Sequence, residues 1–189
     1  MTAVRSIRAM VCGAGIALLV AGCGTDSEGT ATPVTTTTGL PIVADAPSSF
    51  DPCTGITQEI LTSEDLRRGV TDANVDGAQG IKWRGCSYVA PDSYAVGITT
   101  TNLTLDVVRD NENFSVRNEY TVDGRPAMAV DAIEQSDKRA SCTFYVEMAG
   151  GSLELSMSNP GSRAKTGHLD TCGLALGLAE KVAPLIPDE

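Results

Sequence analysis

The chain holds one histidine, His168, one tryptophan, Trp83, and few aromatic residues of any kind. A single imidazole cannot build a histidine-rich metal centre, and it leaves one candidate base for a nucleophilic triad. No G-x-S-x-G elbow presents a serine to that base. His168 follows the loop at 161–167, with Asp170 two residues on, and reads as an exposed loop residue. A Gly-rich phosphate loop, a dinucleotide fingerprint and a P-loop lysine are all missing. Basic residues are scarce, 14 against 24 acidic ones, for a net charge of −10. That balance disfavours nucleic acid and anionic headgroups, both of which attract basic surfaces. There is no apolar run of the ~20 residues that a membrane-spanning helix needs.

The longest apolar run, residues 9–21, follows a short basic stretch containing Arg5 and Arg8, with no acidic residue before Cys23. Length and flanks fit the h-region of a secretory signal over residues 1–22. The run ends in Val20-Ala21-Gly22-Cys23, which resembles the lipobox of bacterial lipoproteins. There the cysteine thiol takes a diacylglyceryl group, palmitate being the expected acyl chain, and the signal is cut just before it. Two acyl chains suffice for stable anchoring. The competing reading is ordinary secretory cleavage. With Arg5 and Arg8 removed, the net charge falls from −10 to −12, so the lipid on Cys23 must hold the protein at the membrane without help from surface charge.

Residues 23–47 read as a lipidated tether. Thr/Pro-rich and nearly free of large apolar side chains, they cannot repay ordering entropy. As flexible coil they span on the order of 25–30 Å. Residues 48–189 are then a single domain. Asp51 and Pro52 suit the cap and first position of a helix carrying Ile56, Ile60 and Leu61. Thr62 can cap a further short turn that stops at Gly69.

From Ile81 the period changes to two. Ile81 and Trp83 point one way, a bulge at Gly85 hands the buried face to Cys86 and Tyr88, and Tyr94, Val96 and Ile98 alternate in a second strand. Tyr120–Val122 and Ala127–Val130 frame the turn 123–126. Cys142, Phe144, Val146 and Met148 face Leu153, Leu155 and Met157 across Gly150-Gly151 as a hairpin. A closing helix spans residues 170–183, with Ala175, Leu178 and Val182 as its apolar stripe and Pro184 as its stop. The expected fold is α+β, an antiparallel sheet of about five to six strands with N- and C-terminal helices packed on one face.

Of six cysteines, Cys53, Cys86, Cys142 and Cys172 remain after processing and lipidation. They lie at least 30 positions apart with no CxxC pair, which argues for disulfides over zinc. Three pairings are open to four cysteines. Topology favours Cys142–Cys172, because the hairpin returns the chain to the end of the sheet where Cys142 starts, and this leaves Cys53–Cys86.

Phe50-Asp51-Pro52-Cys53, a tryptophan three residues before Cys86, Gly124-Arg125-Pro126-Ala127, Cys142 opening a strand, and Asp170-Thr171-Cys172 before an Ala/Leu helix occur in that order. The ordered set resembles actinobacterial envelope lipoproteins of unknown function, of the mycobacterial LprB/LprC type. The resemblance implies an extracytoplasmic location and a fold, and supplies no activity.

Among candidate sites, Asp72, Asn74 and Asp76 match the opening of a calcium loop. Its twelfth position, normally a bidentate glutamate, is here Trp83, and the competing reading is an Asx-turn loop. Arg125, in a tight turn, can pair a carboxylate or clasp an anionic ligand. Leu174, Leu178, Met128 and Met157 can be core, or can line a cleft between sheet and helices. No cofactor is implied. The expected function is a membrane-anchored, non-enzymatic binding or accessory module for an envelope protein or other component. The alternative is a carrier or sensor for a lipid or glycolipid, with a hydrolase third.

Overall fold

The computed structural model describes residues 41–188. Cys23 and the expected signal lie outside the described residues, as does the tether as far as residue 40. Among the described residues no helix is long and apolar enough to cross a membrane.

In chain order the elements are α1 (Gln58–Ser63), β1 (Arg67–Asp72), β2 (Val75–Asp76), β3 (Lys82–Val89), β4 (Ala95–Thr101), α2 (Leu105–Arg109), β5 (Phe114–Val122), β6 (Arg125–Ala132), β7 (Ser141–Met148), β8 (Gly151–Ser158) and α3 (Thr171–Val182). All the strands pair antiparallel in one eight-stranded sheet, β1-β3-β4-β8-β7-β6-β5, with β2 also paired to β3. The sheet is therefore larger than the expected five to six strands. Alternation misses β1 because it is short, charged and bulged between Arg68 and Asp72. It misses β2 because that strand has two residues, both exposed.

The first helix starts later than Asp51-Pro52 suggests. Asp51 instead accepts hydrogen bonds from Cys53 N and Thr54 Oγ1, each at 2.8 Å, and so closes an Asx turn. Thr57 caps the helix through Ile60 N. The expected turn running on to Gly69 is absent. Asp65 adopts φ +51°, and Leu66 N donates to Leu61 O at 2.8 Å, which ends α1 in a Schellman motif and releases the chain into β1.

The β7–β8 hairpin forms as its alternation predicts, with Phe144 opposite Leu155 and Met148 opposite Gly151. Asp123 and Gly124, at φ +50° and +75°, supply the two positive-φ positions of the β5–β6 hairpin turn. Asp170 caps α3 through Gly173 N at 2.9 Å. Ala175, Leu178, Ala179 and Val182 are buried beneath that helix, together with Phe144, Leu153, Leu155 and Met157 of the sheet. Ile56 and Leu66 join the same cluster, with Ile60 and Leu61 partly buried against it.

Disulfides join Cys53 to Cys86 and Cys142 to Cys172. Gly85 carries no bulge, for β3 pairs with β4 in unbroken register from Trp83–Thr101 to Val89–Ala95. Trp83 and Cys86 therefore lie on opposite faces of the sheet, and both faces have their own cover. A second cluster of Leu103, Leu105, Val108, Met128, Val130 and Tyr145 packs α2 on the face away from α3. Residues assigned to the tether reach this side too. Ile42 packs against the second cluster, Asn102 Nδ2 donates to Val43 O at 2.7 Å, and Lys82 pairs with Asp45.

Candidate functional site

The second cluster covers one part of its face and leaves the β1-β3-β4-β8 part open as a cleft of about 480 Å³. Strand register builds it. Thr99 lies opposite Glu154, which in turn lies opposite Tyr145, while the next row sets Ser87 beside Gly97 and Gly97 beside Ser156. Trp83 walls the cleft, with Ala73 and Val75 at its margin. The indole reaches diagonally across β4, and its Nε1–H donates to Glu154 Oε2 at 2.7 Å.

Glu154 is 9% exposed. Burial pushes its carboxyl above the ordinary carboxylate range, and hydrogen bonds from Trp83 and Tyr145 offset only part of that. Burial, reinforced by the adjacent acid, likewise raises the Tyr145 phenol well above its usual range. Among the described residues no lysine or arginine pairs with Glu154, and none hydrogen-bonds the cleft hydroxyls of Ser87, Thr99 and Ser156. The site is thus a deep acid with neutral donors behind it and free hydroxyls in front.

A larger cleft, about 610 Å³, lies over the Cys53–Cys86 disulfide. Its arginines are already paired: Arg68 with Asp72 at 2.8 Å, and Arg84 with Asp76 at 2.5 Å. The calcium-loop residues are engaged in the same way, since Asn74 Oδ1 accepts from Gly85 N at 3.0 Å. Trp83, at the loop's twelfth position, serves Glu154 instead. Cys53, Asp72 and Cys86 bring ligand-type atoms together, but the two sulfurs are bonded to each other and offer no thiolate.

Arg125 holds residues 186–188. Its Nη2 donates to Ile186 O, Pro187 O and Asp188 Oδ1, at 3.0, 3.0 and 2.9 Å. His168 is exposed, and the nearby Asp170 is taken up by Gly173 N and by Arg117, which also pairs with buried Asp131. Leu178 and Met157 are packed in the α3 core, while Met128 lies in the cluster on the opposite face. None of these three residues lines either cleft described above.

Neither Glu154 nor Gly97 stands out in the sequence. In an alternating hairpin strand Glu154 reads as an outward, solvated position, and only the register that sets it under Trp83 shows otherwise. Fold and site together define an antiparallel-sheet domain tied by two disulfides, with an acid-floored cleft on its less covered face. The chain belongs to the DUF3558 family, described as proteins of unknown function, whose model matches residues 18–185. No curated protein and no solved structure matches it.

Proposed function

We propose that this chain is an extracytoplasmic lipoprotein, anchored to the outer face of a cell membrane through Cys23, whose domain is a non-enzymatic binding or accessory module of the envelope. The Trp83–Glu154 cleft is its binding surface. The observation that carries this reading is Glu154, a buried acid with neutral partners only, opening on a cleft with uncommitted hydroxyls. An acid so placed costs folding free energy, and ionisable groups perturbed in this way concentrate at functional sites.

The lipobox pattern at residues 20–23 supports the anchor. Two disulfides are compatible with an oxidising compartment. The ordered motifs that resemble LprB/LprC-type lipoproteins support an envelope setting. No triad role falls to His168, whose Asp170 is bonded elsewhere.

The test is native mass spectrometry of the intact chain taken in mild detergent from its own membrane. The expected spectrum carries the diacylglyceryl mass on Cys23 and a further component that is released by collisional activation. A lipidated chain with nothing else bound would overturn the binding-module reading. An unlipidated Cys23 would overturn the anchor.

A further inference from the structure

We infer that the cleft takes a primary ammonium group carried by a small organic ligand, with Glu154 as counter-ion, Thr99 and Ser156 as hydroxyl acceptors and Trp83 as a cation–π wall. This rests on the binding-module reading above and names its ligand class.

The acceptor set supports it. An ammonium has three donors and no acceptor. The cleft offers a carboxyl and two hydroxyls on neighbouring cross-strand rows, Thr99 directly beside Glu154 and Ser156 two residues along β8. An indole at the wall adds attraction for a cation. Charge points the same way: an anion would meet a buried acid on a chain of net charge −10. A bare acyl chain would bury that acid without a counter-charge and the hydroxyls without partners.

Gly97 is the second, independent observation. Glycine inside a strand weakens it, so a packing reason is expected. Two other sheet glycines have one. A Cβ on Gly85 would fall 2.1 Å from Ile98 O, and one on Gly151 would fall 2.0 Å from Thr101 O. A Cβ on Gly97 would meet only Ser156 Cβ, at 3.9 Å. Nothing in the fold requires glycine there. What its missing side chain leaves behind is the floor of the cleft, one position across from Ser156.

Trp83 is the only tryptophan and borders both this cleft and a neighbouring one lined by Ile81, Leu103 and Val107, so the Glu154 and Gly97 variants serve to assign a change in indole emission to this cleft. The full-length lipidated chain in detergent is titrated with n-propylammonium chloride, and at matched ionic strength with 1-propanol and with a methyl glucoside. The expected result is a saturable change with propylammonium only. It should weaken at least about tenfold in Glu154→Gln and in Gly97→Val, while Gly97→Val melts no lower than the parent. An equal response to propanol, saturation by the glucoside alone, no response to propylammonium, or unchanged binding by Gly97→Val would each overturn the assignment. If propylammonium fails while a component is still bound in the native spectrum, only the ligand class falls. If the native spectrum is empty, the binding-module reading falls with it.

Discussion

Glu154 and Gly97 are single residues whose cost to the fold can be measured directly. The raised Glu154 carboxyl means that the folded chain keeps a proton which the unfolded chain has already released. Between the unfolded value, near 4.5, and the raised folded value, the native state binds more protons, so stability falls as pH rises through that window and stays lower above it. Glu154→Gln keeps an acceptor for the indole and does not titrate. Denaturant midpoints of wild type and variant, measured from pH 4 to pH 8, should therefore separate in the variant's favour as pH rises. A gap independent of pH would show that Glu154 is not held as described. Gly97→Val should leave the fold unchanged or stabilise it by up to about 1 kcal/mol, since a β-branched residue suits an open mid-strand position. A loss of more than that in urea would mean that the floor of the cleft is packed. At this scale the sequence was mute: an acid at an alternating outward position looks like solvated surface, and only pairing between distant strands puts it under an indole.

Elements were more legible, and the reasons follow from local chemistry. The β7–β8 hairpin and α3 are long, strongly periodic and bounded by Gly150-Gly151, Asp170 and Pro184, so pattern and structure agree. The first helix shows two competing caps within seven residues, Asp51 and Thr57. Asp51 is drawn into an Asx turn, so the helix begins only after Thr57. Short α2 and β2 lack the length over which a period can be read.

Leu178, 1% exposed beneath α3, is the anchor of that helix. Leu178→Ala should cost about 2–5 kcal/mol, read as a lower urea midpoint with near-native circular dichroism below the transition. The Cys142–Cys172 bridge closes a separation of 30 residues. Its removal in a Cys142→Ser, Cys172→Ser pair should cost about 3–4 kcal/mol; an unchanged midpoint would mean the link constrains little. At the α1–α3 contact, Glu64 resists the upward pull of burial because Lys181 and Tyr94 bond to its carboxylate, and its carboxyl lies below the usual range. That contribution is present above the ordinary glutamate range and is lost as pH falls through the folded value. Lys181→Met should therefore lower stability at neutral pH and matter less in acid, opposite in sign to the Glu154 effect.

At the level of the whole molecule, the sequence indicates an α+β domain of antiparallel strands but understates the sheet. Pattern reading follows one buried face at a time. It therefore assigns Trp83 and Cys86 to a single face joined by a bulge, whereas the sheet is covered on both faces and its register is unbroken. The open part of the second face follows from that architecture: α2 is too short to cover it, and the cleft is what remains. The expected anchor predicts that a Cys23→Ser chain, still folded through its two disulfides, is shed into the medium. Immunoblots of membrane and medium fractions check this, and retention at the membrane would return residues 9–21 to the status of an uncleaved anchor.

We place ligand binding at the Trp83–Glu154 cleft and not in the buried core. Native mass spectra of wild type and Gly97→Val, each extracted from its own membrane, test it most directly. The same lipid mass is expected on Cys23 in both, with the additional bound component present in wild type and absent from the variant. Equal loading of the two chains would contradict it.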